Sequence, residues 1–308
     1  MTLAIAALLG LIQGVFMFVP VSSTSHLVLS QTWLRDRGIL LPPPESPELI
    51  LFDLVVHVGT LVSVVVVMGG GLRELGSGVR HELATGRVAA SWRTGLHGAV
   101  STRLVALGLL TTAVTGALGL VLRGPLTSVF GSPTLVAVAL LVTGVMLWWT
   151  DVMVPGRRLF ARRGALDPGA LTYGWRGPRE VTVGVAVAIG VAQAAALTPG
   201  LSRSGTTIFV ALLLGMRRQL AARYSFYVAI PTILAASGVE TLSVLRDGGL
   251  QAISWTAMGV GFVVAAVVGS AALWAVLRLL EAARFRVFAV YVWGLAIVVL
   301  VTGVGASL

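Results

Sequence analysis

An arginine and a cluster of hydroxyls interrupt hydrocarbon at one place in this chain. The segment Pro199-Gly200-Leu201-Ser202-Arg203-Ser204-Gly205-Thr206-Thr207 lies between the apolar runs Val181–Ala196 and Ile208–Met216. An ionised side chain at bilayer depth costs at least ~2.5–3.5 kcal/mol, so Arg203 is there for a partner. Short hydroxyl donors, one guanidinium and glycines that let the backbone approach closely make an anion site. A helix starting near Gly205 would aim its free N–H groups at the same anion. Phosphate is the natural ligand. The competing reading is a structural ion pair, for which Asp53 is the best partner.

A second cluster, Ser22-Ser23-Thr24-Ser25-His26, puts an imidazole within reach of several hydroxyls. Imidazole changes charge near neutral pH, which suits His26 to acid–base work or to nucleophilic attack. It would equally suit a helix start with a histidine at the membrane interface. The serines could cap a helix, bind phosphate or attack phosphorus. Asp53 and His57, spaced i and i+4, share one helix face. They could orient water, hold a cation, or sit at the membrane edge with their polar tips in water.

The elements that must carry these residues are membrane helices. The 308-residue chain is 56% hydrophobic and 11% charged, with a mean hydropathy of +0.95. Soluble domains are about 45–50% apolar and about 25% charged. An all-α, polytopic membrane protein follows. Cys is absent, so there is no disulfide and no thiolate metal site. The net charge of +10 comes entirely from arginine, without lysine, and nearly all the arginines fall between apolar runs. A nucleic acid partner is therefore not expected.

Leu3–Val19 is apolar apart from Gln13, and Pro20 ends it. A short piece, Leu27–Leu34, follows the hydroxyl cluster. Neither piece reaches the ~20 residues of a comfortable span, so together they read as a broken, re-entrant element. The stretch around Arg203 reads the same way. About six transmembrane helices are expected, over Leu49–Met68, Leu104–Leu122, Thr134–Trp149, Ser225–Leu245, Ser254–Leu277 and Val287–Val304. Polar loops are expected over Gly69–Arg103, Arg123–Pro133 and Asp151–Glu180, with a basic turn at Arg217, Arg218 and Arg223. Placing the loops after Met68, Trp149, Met216 and Leu277 inside the cell puts 17 of the 22 arginines there. The positive-inside bias fixes that orientation.

The chain also repeats itself. Gly10-Leu11-Ile12-Gln13 resembles Gly190-Val191-Ala192-Gln193, and each glutamine precedes a serine, Ser22 or Ser202, by nine positions. By the arginine distribution the first broken element enters from outside and the second from inside. That is an inverted-topology repeat, about 1–150 and 181–308, joined by a basic cytoplasmic loop over 151–180 in one membrane domain. Sites in such folds form at mid-membrane from two discontinuous helices.

Pro20-Val21-Ser22-Ser23-Thr24-Ser25-His26 and the Pro199–Thr207 segment resemble the two signature motifs of the bacitracin-resistance family of undecaprenyl-diphosphate phosphatases. Phe52-Asp53-Leu54-Val55-Val56-His57-Val58-Gly59-Thr60 and Ala229-Ile230-Pro231-Thr232 resemble further segments of it. The resemblance implies a fold with two re-entrant helical hairpins in a bacterial plasma membrane. It implies removal of the terminal phosphate from undecaprenyl diphosphate at the outer face. That recycles the lipid carrier for peptidoglycan and other envelope polymers and gives tolerance to bacitracin, which competes for the same lipid. It also implies a divalent cation, Mg²⁺ or Ca²⁺, with no ligands assigned. Carried over by motif, Arg203 would clamp the diphosphate beside Ser202, Ser204 and Thr207. Gln13, Ser22 and Thr24 would complete the substrate site, and His26 and Ser23 would be the candidate nucleophile or proton-transfer residues.

The chain departs from the family's first motif at one position. That motif is Glu or Gln, three residues, then Glu, and here Gln13 is followed by Met17. A thioether is a poor ligand for hard cations and cannot move a proton. Asp53 is the nearest acid in kind to replace it. Without such a replacement, the same anion site would serve a polyprenyl-phosphate transporter or an inactive lipid-phosphate binder.

Overall fold

Backbone polar groups have no water to bond in a bilayer, so apolar segments of this length form helices. The computed structural model describes residues 1–43, 46–91, 96–130, 133–152, 177–246, 253–281 and 285–302. In chain order these form α1 (Leu3–Phe18), α2 (Ser23–Asp36), α3 (Pro47–Ala84), α4 (Arg87–Ser91), α5 (Val100–Phe130) and α6 (Pro133–Val152). After a short 3₁₀ turn come α7 (Val183–Ala195), α8 (Arg203–Leu213), α9 (Arg218–Arg246), α10 (Trp255–Glu281) and α11 (Arg286–Thr302). Five helices, α3, α5, α6, α9 and α10, are long and apolar enough to cross a membrane, while α1, α7, α8 and α11 are shorter and apolar.

The helix starts are legible as caps. Thr2, Ser46, Thr182 and Ser202 each accept a backbone N–H from the first turn of α1, α3, α7 and α8. The expected break at Pro20 separates α1 from α2, and the expected break around Gly200 separates α7 from α8.

Three expected loops are helical instead. Gly69–Ala84 continues α3 to 38 residues, ~57 Å at the α-helical rise, well beyond the ~30 Å bilayer core. Its arginines therefore ride on a projecting helix rather than in a loop. Glu82 near its end accepts from Ser101 N, Thr102 N and Thr102 Oγ1 and so caps α5. Beyond Leu122, α5 runs on to Phe130. In the expected basic turn, Arg218 opens α9, is buried, and pairs with Asp151 at 3.5 Å while donating to Thr150 O at 2.8 Å. Most of the expected 151–180 loop, namely 153–176, lies outside the described residues, as do Arg93 and Arg284.

The short helices pack against long helices from the far half of the chain. α1 lies along α10, and α7 lies along α5. Both contacts are made by backbone at small residues, as is usual between membrane helices. A Cβ on Gly10 would sit 2.6 Å from Gly261 O, and one on Gly190 would sit 2.9 Å from Thr111 O. Thr111 and Thr115 of α5 add hydrogen bonds to Ala186 O and Gly190 O of α7 at 2.9 and 3.0 Å. α3 packs on α10 and α9, and α6 packs on α11. The core that results joins Met17, Phe18 and Val21 to Ile208, Phe226 and Val228, so the two broken elements share one hydrophobic interior.

Candidate functional site

The turn before α8 is fixed from both sides. Gly200 has φ +94°, and a Cβ there would collide with Val136 O and Ala139. Only glycine fits that conformation in that space. Thr143 of α6 donates to Gly200 O at 2.9 Å and accepts from Ser202 N at 3.1 Å. Ser202 Oγ then caps Gly205 N at 3.2 Å. Arg203 is thereby the first residue of α8. Its Nη2 donates to Met17 Sδ at 3.7 Å, while its Nη1 is buried and has no partner among the described residues. A guanidinium with one thioether contact is far from satisfied, and a half-buried cation with a buried, unpaired Nη1 favours arrival of an anion.

The start of α2 is its counterpart. Ser22 has φ +68°, a left-handed conformation that is uncommon outside glycine, and its side chain makes no cap to the helix. Its Oγ pairs with Ser25 Oγ at 3.0 Å. Strain of this kind costs about 1–3 kcal/mol and collects at functional sites. The first N–H groups of α2 lack that side-chain acceptor.

Both helix starts line one cavity of about 410 Å³. Ser22, Ser23 and Thr24 come from α2 and its cap position, and Ser202, Arg203 and Ser204 from α8 and its cap. Two helix N-termini and one arginine thus meet, and each contributes positive potential. Met17, His57, Gln193, Thr232 and Ser237 complete the polar and sulfur lining, with Phe16, Leu54 and Leu197 on the apolar side. Met17 Sδ is the common acceptor: Gln13 Nε2 donates at 3.4 Å, Ser23 Oγ at 3.8 Å and Arg203 Nη2 at 3.7 Å.

Residues 6–298 match the model of the bacitracin resistance protein BacA. The chain belongs to the BacA family. It is 45% identical to an undecaprenyl-diphosphatase of Alkalilimnicola ehrlichii, over 96% of this chain and 95% of that protein. It is also 45% identical to an undecaprenyl-diphosphatase of Halorhodospira halophila, over 97% of each. A third, from Rhizobium johnstonii, is 33% identical over 93% of this chain and 91% of that one.

Within this BacA-family chain, six expected site residues line the cavity: Ser22, Ser23, Thr24, Ser202, Arg203 and Ser204. Four others stand elsewhere. Gln13 is fully buried behind Met17, with its Oε1 unpartnered among the described residues. Thr207 faces away, donating to Arg203 O at 2.8 Å and pairing with Ser225 Oγ at 2.5 Å. Asp53 is bound by Gln31 Nε2 at 3.0 Å, does not line the cavity and forms no ion pair with Arg203. The competing reading of a structural Asp53–Arg203 pair is therefore not realised, and Asp53 takes an amide contact from Gln31 of α2 instead.

His26 is the fourth. Its Nδ1 bonds Ser22 O at 2.8 Å, its Nε2 bonds the Tyr291 hydroxyl at 2.7 Å, and its ring stacks on Phe16 at 3.8 Å. Both ring nitrogens are committed to protein, and the ring does not line the cavity. It braces the left-handed turn at Ser22. Thr143 and Tyr291 hold the two turns through Gly200 O and His26, and no sequence signal marks them, since each contact spans more than 50 residues of chain. Gln193 carries a sequence signal only through its place in the repeat.

The residues around Met17 do not fit a hard divalent cation. Among the described residues there is no group of three or more His, Cys, Asp or Glu placed to hold one. The group at the centre is a thioether, with an arginine beside it.

Proposed function

We propose that the protein hydrolyses undecaprenyl diphosphate to undecaprenyl phosphate and inorganic phosphate. The observation that carries this is Arg203, with a buried and unpartnered Nη1, at a cavity where two helix N-termini converge. The names of the relatives support the same reaction. Phosphoryl transfer needs positioning and charge neutralisation above all. In this reading the diphosphate replaces the thioether as the partner of Arg203. It accepts from the N–H groups that open α2 and α8 and from Ser202 and Ser204. Gln13 backs the site through Met17. Ser23 is the hydroxyl beside the terminal phosphorus, able to orient the attacking water. His26 acts through Ser22, as a positioning residue. Any Mg²⁺ or Ca²⁺ arrives as part of the substrate, chelated by the diphosphate's own oxygens.

The repeat and the arginine distribution support the setting. The halves 1–150 and 181–308 insert their broken helices from opposite faces, and the cavity opens to the outside of the bacterial plasma membrane. The prenyl tail lies in lipid between helices. Bacitracin competes for the same headgroup.

The test is release of phosphate from undecaprenyl or farnesyl diphosphate by the purified protein in detergent, with Mg²⁺, Ca²⁺ or EDTA. Steady release is expected. Met17 in place of a carboxylate favours one second reading, a polyprenyl-phosphate transporter or a non-hydrolysing binder. Tight lipid binding with no release under any condition would establish that reading instead.

A further inference from the structure

A hydrolase without a carboxylate at position 17 needs another proton acceptor in its cavity. Hydroxyls, amides, a thioether and a guanidinium do not take up a proton near neutral pH. Among the side chains that line the cavity, His57 is the one that does. His26, the histidine of the signature motif, has both nitrogens engaged by Ser22 O and Tyr291.

His57 is set up for the task by its own helix. Its Nδ1 lies 2.6 Å from Asp53 O, one turn back on α3. A carbonyl oxygen only accepts, so Nδ1 carries the hydrogen, and in the neutral ring Nε2 holds the lone pair. Nε2 has no partner among the described residues. The chain thus presents an oriented imidazole, in the basic tautomer, to the cavity that holds Arg203.

We infer that His57 is the general base of this chain, in a cavity where Met17 leaves no carboxylate to take the proton. This rests on the phosphatase reading above. Water attacks the terminal phosphorus and its proton passes to His57 Nε2. The new P–O bond makes the water oxygen the fourth oxygen of the released phosphate. The bond from that phosphorus to the bridging oxygen breaks, and its electron pair leaves with undecaprenyl phosphate. The imidazolium then returns its proton to solvent water.

The experiment compares the full-length parent with His57→Gln and His57→Ala in phosphate release from farnesyl diphosphate. Binding of its non-hydrolysable methylene-bridged analogue is measured alongside. Glutamine can still donate to Asp53 O but cannot take the proton. Both variants should lose about 100-fold or more in kcat, the range of general-base catalysis, and keep the parent's affinity for the analogue. Free imidazole should restore part of the activity of His57→Ala. Turnover by His57→Gln within about tenfold of the parent overturns the proposal. So does loss of analogue binding in both variants, or no rescue at any imidazole concentration. An inactive parent would instead refute the phosphatase reading itself.

Discussion

Arg203 Nη2 lies 3.7 Å from Met17 Sδ, joining the first turn of α8 to the last turn of α1. The contact crosses 186 residues of chain and links the two broken elements. It also pairs the strongest cation in the site with the weakest acceptor available.

Arg203 should therefore be sensitive to replacement even by lysine. A charge-assisted hydrogen bond contributes about 1.5–3 kcal/mol, and a fork-shaped guanidinium makes two where an ammonium is a point charge. Arg203→Ala and Arg203→Lys are expected to weaken binding of the methylene-bridged diphosphate by about 10- to 100-fold. Equilibrium binding in detergent measures this. Unchanged affinity would make the guanidinium structural.

Restoring the carboxylate tests the same contact from the other side. Met17→Glu would place oxygen acceptors among Gln13 Nε2, Ser23 Oγ and Arg203. Turnover should rise and become more dependent on added Mg²⁺ or Ca²⁺. A fall in phosphate release would mean that the pocket is built around the thioether.

Tyr291→Phe keeps the aromatic stack but removes the hydroxyl on His26 Nε2. Leaving a buried donor or acceptor unpaired costs about 1–3 kcal/mol. A lower melting temperature is expected, together with a modest fall in turnover as the Ser22 turn loosens. A variant as stable as the parent would show that the ring stack alone holds His26.

Thr143→Val conserves shape and deletes one hydroxyl that serves both Gly200 O and Ser202 N. Two backbone groups at the α8 start then lose a partner, a loss of about 1–3 kcal/mol for each group left unpaired. KM for farnesyl diphosphate should rise more than kcat falls, because the anion-binding turn is displaced while the proton chemistry is untouched. Steady-state kinetics with the purified variant would detect the reverse pattern just as readily.

Membrane location, the two breaks and the lone arginine amid hydrocarbon could be read from the chain. Each depends on local composition or on residues a few positions apart. A twenty-residue apolar run, a proline, a serine before a helix and an arginine amid hydrocarbon carry their physical consequences with them. The length of α3 was hidden because Gly69–Ala84 is polar enough to pass for a loop, yet Glu82 and the α5 start hold its end in place. The site's inner arrangement depends on which helix faces which. Asp53 and His57 lie on the same helix face, but packing gives Asp53 to Gln31 and His57 to the cavity. The motif histidine is likewise withdrawn by a tyrosine 265 residues away. Sequence pattern specifies the local element and its polarity, whereas the partners of a buried polar group are chosen by the close approach of helices distant in the chain.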